Sequence, residues 1–288
     1  MHIQRLEERR LKVHGEDARE WLNGQLTCDL REPAPGSATY GLILSSKGKL
    51  ISDVWVLEHP EVGDEQHFSL SLPSLRADAA FERLDRFLVM EDVDVSFGDE
   101  ALVSAQGRGA RALLNDQLGS AETIWPTTRL DTEGAEVWLP ANEATALVAD
   151  LGGATNKTAF HDARVEAGIP ALSQDMGDST LPQEVGLHGA VSFNKGCYVG
   201  QEPVIMLEHR GKPPKRLVRL RVANASVGDP ILSGEKNVGR VTSVHSSKPL
   251  ALALVKRKHL EDSLSIEGIA VSELTIIDDG KPRDRTPG

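Results

Sequence analysis

The chain has 288 residues, 40% of them hydrophobic and 26% charged, with a formal net charge of −11, which places it among globular proteins of two or three domains rather than disordered or fibrous chains. The acidic balance argues against wrapping nucleic acid, which demands clustered cations. The charged opening MHIQRLEERR and the absence of any run of 18 apolar residues argue against a secretory signal or a membrane span, so a cytoplasmic address is expected by default.

An internal repeat organises the first half. Gly15 to Leu26 aligns with Gly107 to Leu118 as G-x-x-A-R-x-[WL]-L-N-x-Q-L, seven identities in twelve positions at an offset of 92. Each copy reads as a helix after a glycine turn, with Ala18, Trp21, Leu22 and Leu26 on one face. A hairpin follows each: Leu42–Leu44 and Ile51–Val56 around Ser45-Ser46-Lys47-Gly48-Lys49, then Arg129-Leu130 and Glu136–Leu139 around Asp131-Thr132-Glu133-Gly134. A second helix closes each unit, from about Ser74 in the first and over roughly 142–151 in the second, behind Pro73 and Pro140. Helix–hairpin–helix twice over predicts an α+β fold, two sheets with helices packed on them. Gly107-Arg108-Gly109 is too short for a dinucleotide fingerprint and belongs to the repeat.

The densest run of unusual residues is Phe193-Asn194-Lys195-Gly196-Cys197-Tyr198-Val199-Gly200-Gln201-Glu202. Glycines bracket Cys197, and Lys195 lies two residues before it, where a cation favours the nucleophilic thiolate. The same residues equally describe a tight turn around a buried, inert cysteine. Cys28 is the one other cysteine, and two thiols are too few to hold an iron–sulfur cluster alone. The nine histidines are scattered without zinc-ligand spacing, so no metal site is expected.

Arg210, Lys212, Lys215, Arg216, Arg219 and Arg221 then fall within twelve positions. They read either as a solvated strand edge or as a site for an anionic ligand such as a polyglutamate tail. Beyond 212 the period becomes two: Val218, Leu220 and Val222 alternate with Arg219 and Arg221. Val238–Val244 and Leu250–Val255 read as further strands of an all-β appendix, a small barrel. The tail over 278–285 is expected to fray.

The run KGCYVGQE resembles the signature K-G-C-Y-x-G-Q-E of the folate-binding YgfZ family. Arg164–Pro170 is similar to that family's R-x-E-x-G-x-P element, Pro182-Gln183-Glu184 to its P-x-E element, and Gly239–Ser243 to the G-x-V-T-S strand of its C-terminal barrel. The resemblance implies a duplicated region over 1–212, with units starting near 11 and 103, and a β-barrel over 213–288, arranged around a central folate-binding hole. Its relatives in the glycine-cleavage T-protein group are aminomethyltransferases that hold tetrahydrofolate there. Gln174–Leu187 is similar to their pterin-side segment, which implies that Glu184 accepts hydrogen bonds from the pterin and that Asp175 assists. Tyr198, Gln201 and Glu202 of the signature fall on the cofactor side as well. Cys197, Lys195 and Asp53 are the candidates for chemistry.

Two departures stand out. The T-proteins carry paired aspartates on an early strand, the second one catalytic; the matching positions here are Ser52 and Asp53. After the signature, Val204-Ile205-Met206 replaces the common V-A-R, although Arg210-Gly211 keeps the R-G pair. What the resemblance implies is a tetrahydrofolate-binding accessory protein for synthesis or repair of iron–sulfur clusters, its partners being client proteins or assembly factors. A folate-dependent aminomethyl or methyl transferase and a non-catalytic folate-binding docking module are the alternatives.

Overall fold

The computed structural model describes residues 1–31, 36–119, 123–153 and 157–277. The first unit runs through β2 (Glu8–Gly15), α1 (Ala18–Gln25), β3 (Ala38–Leu44), β4 (Leu50–Glu58), β5 (Gln66–Pro73), α2 (Ala77–Asp85) and β6 (Asp94–Phe97), after a leading strand β1 (His2–Leu6). The second runs through β7 (Ala101–Gln106), α3 (Ala110–Leu118), β8 (Trp125–Thr127), β9 (Gly134–Leu139) and α4 (Ala141–Asp150). The repeat is visible in the backbone. Gly15 and Gly107, which join strand to helix in the two copies, take the same left-side conformation, φ 140° and 135°. A Cβ on Gly15 would lie 2.0 Å from the Asp92 carbonyl oxygen, so only glycine fits there.

Two antiparallel sheets result, ordered β3-β4-β5-β2-β6 and β1-β7-β9-β8. Strand β1 lies in the second unit's sheet, pairing with β7 from His2–Gln106 to Leu6–Leu102. One face of each sheet is covered by its own helices. Leu11, Val54, Val56 and Leu70 pack with Trp21, Leu22 and Leu84; Val103, Val137 and Leu139 pack with Leu114, Ala144 and Leu147. The opposite faces meet in a third core, where Tyr40, Trp55, Leu102, Trp125 and Trp138 join Val165, Met176, Val185 and Tyr198. Strands β7 and β9 are therefore buried on both faces.

Local differences from the sequence reading have simple causes. The partner of β9 is Trp125–Thr127 rather than Arg129-Leu130; Arg129 lies in the connection, released for another task. Helix α2 begins at Ala77, because Pro73–Arg76 closes a turn first.

Helices α5 (Thr158–Ala167) and α6 (Gln201–Arg210) lead to β10 (Lys215–Arg221), β11 (Pro230–Ser233), β12 (Lys236–Val244), β13 (Leu250–Lys256), β14 (Leu264–Ile266), β15 (Ile269–Ala270) and β16 (Glu273–Ile276). These strands form one curled antiparallel sheet, ordered β15-β14-β11-β12-β13-β10-β16 around its own core, a partly closed barrel. The basic strand β10 is not an edge: β13 pairs along its whole length and β16 takes the outer position over Val218–Arg221. The tail over 278–285 lies outside the described residues. No helix among the described residues is long and apolar enough to cross a membrane.

Candidate functional site

The inner faces of the two sheets carry several polar side chains among the apolar ones. In β4, Asp53 pairs with Leu42 and Trp55 with Tyr40, all on the central side, and the Tyr40 hydroxyl donates to Asp53 Oδ2 at 3.1 Å. Ser52 pairs with Ile43 on the helix-facing side, and its Oγ donates to the Asp53 carbonyl oxygen at 2.8 Å. Loss of an acid at position 52 therefore removes nothing from the central face.

Between the sheets lies Arg129. Its Nη1 donates to Glu8 Oε1 at 2.8 Å, its Nη2 to Ser71 Oγ and Glu136 Oε2 at 3.1 Å each, and its Nε to Glu136 Oε1. Glu8 comes from the first sheet and Glu136 from the second, so one guanidinium joins the units. Burial pushes the Glu136 carboxyl upward against the pull of Arg129. Asp53 is left over: burial first, and Glu8 second, push its carboxyl up to about 6, and its buried Oδ1 has no hydrogen-bond partner. Three carboxylates share one cation, and the geometry allots that cation to the other two.

Unpartnered polar atoms recur around the same core. The indole nitrogens of Trp125 and Trp138, the Tyr198 hydroxyl and Gln183 Oε1 are all buried without a hydrogen bond. Buried polar groups normally find partners, so a cluster of exceptions calls for an explanation.

The segment after α5 divides its two acids between different tasks. Asp175 Oδ2 accepts from Arg164 Nη1 at 2.8 Å and from the Ala171 amide at 3.0 Å; Oδ1 accepts from Thr242 Oγ1 at 2.5 Å and Ser243 Oγ at 2.8 Å. All its acceptor positions are spent locking this segment to β12, which corrects the expectation that Asp175 holds a cofactor. Among the described residues Glu184 uses only Oε2, toward the Leu181 amide at 2.9 Å, and it lines a cavity beside the barrel. Its neighbour Gln183 donates to the Val204 carbonyl oxygen at 2.9 Å and so ties the segment to α6.

The signature loop is strapped onto the first unit. Ser192 N donates to the Thr27 carbonyl at 2.9 Å and Val199 N to that of Gly24 at 3.2 Å. Lys195 Nζ is buried and donates to the carbonyls of Asn23, Leu26 and Cys28 at 2.6, 2.9 and 2.5 Å. It caps the C-terminal end of α1, where a cation complements the exposed carbonyls. Burial pushes its ammonium down to about 8. Lys195 is thus committed beneath Cys28, which corrects the expectation that it activates Cys197. Cys28 is buried against Gly41, and burial pushes its thiol up to about 11.

Cys197 itself is exposed, so the buried-turn alternative does not hold. Of its bracketing glycines only Gly200 is required: at φ 86° a Cβ would lie 2.3 Å from the Ser45 carbonyl oxygen, whereas at Gly196 it would meet nothing. Tyr198 turns inward to the central core, with Lys195 Nζ 5.4 Å from its ring centroid. Gln201 is half-buried at the start of α6; Glu202 is exposed and lines an outer groove with Leu181, Pro203 and Met206.

Asp53 and Tyr198 therefore bound the central core and Glu184 the adjoining cavity, while Cys197 stands outside on the strap. The sequence reading missed Arg129, Glu136, Glu8, Trp125 and Trp138. The available signal was a glutamate inside GAEVWL, a strand otherwise fit for burial on both faces.

Residues 6–126 match the model of the GCVT N-terminal domain, and residues 215–275 that of the CAF17 C-terminal β-barrel domain. The tRNA-modifying protein YgfZ of Aliivibrio fischeri (strain MJ11) is 26% identical over 245 residues, 78% of this chain and 72% of that protein. The YgfZ protein of Vibrio vulnificus (strain YJ016) is 28% identical over 245 residues, 80% of this chain and 72% of that one. An iron–sulfur cluster assembly factor IBA57 homolog, mitochondrial, of Neurospora crassa is 27% identical over 233 residues, 75% of this chain and 52% of that protein. The crystal structure of glycine cleavage system aminomethyltransferase T from Bartonella henselae superposes with a TM-score of 0.82 at 20% identity, covering 99% of this chain and 86% of that one, a likeness of fold. The resemblance carried by KGCYVGQE stands: the chain is YgfZ-like, with a GCVT domain followed by a CAF17-type barrel.

Proposed function

We propose that this YgfZ-like chain binds tetrahydrofolate or a one-carbon derivative at its centre and serves iron–sulfur proteins, with Cys197 at the working surface. The observation that carries the reading is the set of buried atoms without partners around the central aromatic core: Asp53 Oδ1, Tyr198 Oη, Gln183 Oε1 and two indole N–H groups. They offer acceptors and donors to a flat, nitrogen-rich ring, and Tyr40, Trp55, Trp125 and Trp138 offer it apolar walls. Glu184 adds a carboxylate with an oxygen to spare. Bound folate would supply one-carbon carriage. The chain's own part is to hold the ring with Glu184 and Asp53 while Arg129 fixes the two sheets around it.

The client class is supported by the relatives' names, one for tRNA modification and one for iron–sulfur assembly. Iron–sulfur enzymes that act on tRNA satisfy both. Cys197, exposed on a loop held from below by Lys195, would meet such a protein's metal or thiols, a role its exposure supports. The alternative of an aminomethyl or methyl transferase keeps support from Asp53, which stays on the central face whatever stands at position 52.

The test is deletion of the gene followed by assay of iron–sulfur enzymes, including tRNA-modifying ones. Their activities fall by several-fold and return with the wild-type gene, but not with Cys197→Ala expressed at the same level. Full rescue by Cys197→Ala removes the cysteine from the function and favours a docking role. Turnover of an aminomethylated donor by the purified protein establishes the transferase instead.

A further inference from the structure

Asp53 and Glu8 come from strands that β5 separates. The pairings Trp55–Ser71 and Glu8–Pro73 put Asp53, two residues before Trp55, on the same face of the sheet as Glu8. Glu136 meets them from β9 of the other sheet, through Arg129. With all three carboxyls ionised, a single guanidinium would leave two negative charges uncompensated in a buried centre. Buried carboxyls that share a site do not all ionise together.

The hydrogen bonds show how the donors are divided. Glu136 takes two arms of the guanidinium fork, Nε and Nη2, and Glu8 takes Nη1. Ser71 closes the ring: its Oγ accepts from Arg129 Nη2 and donates to Glu8 Oε2. Each glutamate thus has a donor on both oxygens. Asp53 has the Tyr40 hydroxyl on Oδ2 and no partner on Oδ1. Charge-assisted bonds favour the ionised form, so the proton of the centre falls to the carboxyl with the fewest donors. The groups that face Asp53 are Tyr40 from β3, Glu8 from β2, Arg129 from the β8–β9 connection and Glu136 from β9; β5 contributes Ser71, which is uncharged.

We propose that Glu8 and Arg129 are positioning residues for Asp53: with the guanidinium held on Glu8 and Glu136, Asp53 is left as the proton-exchanging carboxyl of the central site. A ligand N–H that reaches Oδ1 makes its hydrogen bond to the carboxylate, and the proton Asp53 held leaves to solvent. The place of the proton is a property of the free protein; the inference rests on the folate reading for the identity of the ligand alone.

Infrared difference spectra of the ligand-free protein between pH 4 and pH 8 test the first part. Wild type loses one protonated carboxyl with a midpoint at about 6, and Asp53→Asn lacks that signal. Glu8→Gln keeps an acceptor for Arg129 and gains a donor for Ser71 while removing the like charge, so the midpoint falls by about one pH unit or more. Tyr40→Phe removes the donor on Oδ2, and the midpoint rises. Opposite shifts from two substitutions that preserve side-chain shape are a signature that a merely structural role does not give. An unchanged midpoint in Glu8→Gln overturns the proposal; so does a signal that survives in Asp53→Asn and disappears in Glu136→Gln, which assigns the proton to Glu136. Calorimetric titration with tetrahydrofolate at pH 5.5, in two buffers of different ionisation heat, tests the second part. Wild type releases most of one proton more than Asp53→Asn, a comparison in which the ligand's own titration cancels. Equal release from the two proteins overturns the linkage. If tetrahydrofolate does not bind, the folate reading fails, and the infrared titration still decides where the proton sits.

Discussion

Alkylation of the native protein at neutral pH labels Cys197 and leaves Cys28 untouched. Two independent factors act in the same direction. Cys197 is exposed, whereas the Cys28 sulfur is sealed against the Gly41 backbone with 4% of its residue surface accessible. Burial also pushes the Cys28 thiol up to about 11 despite the Lys195 ammonium beside it. Relative to an ordinary thiol at 9.0, that shift alone lowers the reactive thiolate about a hundredfold. Mass mapping after brief iodoacetamide treatment therefore finds at least about a hundredfold preference for Cys197, lost on denaturation. Labelling of Cys28 first, or equal labelling in the native state, contradicts this arrangement of the signature loop. Lys195→Met offers a further check: without its three carbonyl contacts the strap loosens and Cys28 becomes reactive.

Replacement of Arg129 by methionine is the most destabilising change expected at the centre. The guanidinium and its partners Glu8 and Glu136 have side chains 10%, 9% and 0% exposed. Removing the cation strands two buried carboxylates beside Asp53, and breaking a buried pair in this way costs about 3–5 kcal/mol. Denaturant titration at pH 7.5 detects it as a large fall in midpoint, shrinking toward pH 5 as the stranded acids take up protons. Arg129→Lys restores part, since an ammonium cannot bridge both carboxylates as a planar fork does. Asp53→Asn behaves oppositely. A carboxyl raised from its unfolded value near 3.9 to about 6 lowers stability as pH rises through that interval, because the folded state holds the proton more tightly. The amide removes this penalty, so the variant gains on wild type above pH 6 and not below pH 4. An Arg129→Met protein as stable as wild type at pH 7.5 refutes the network.

The fold was legible where a residue's partners lie close in sequence. Ala18, Trp21 and Leu22 mark a helix by spacing alone, and Gly15 and Gly107 mark the repeat because each joins a strand to a helix. The candidate central site was named only through the family resemblance, which implied Asp53, Glu184 and Tyr198. Periodicity could not show that β7 and β9 are covered on both faces, and so could not show that Glu136 is buried. Arg129 was assigned to a strand because it precedes the turn signal Asp131-Thr132-Glu133-Gly134, yet its partners Glu8 and Ser71 lie 121 and 58 residues away. The role of Lys195 was hidden for the same reason: proximity to Cys197 in sequence suggested a partnership, while its ammonium reaches carbonyls 167 to 172 residues earlier. Asp175 looked like a ligand because it sits in a ligand-like segment, but a buried acid must first find donors, and Arg164, Thr242 and Ser243 supply them.

The central claim is that a reduced folate occupies the core between the two sheets and the barrel. Calorimetric titration with tetrahydrofolate tests it most directly. The account predicts one saturable site in wild type, weakened about tenfold or more by Glu184→Ala, as the loss of a charge-assisted hydrogen bond requires, and weakened also by Asp53→Asn in a protein that is no less stable. Absence of saturable binding, or binding that neither substitution alters, contradicts it.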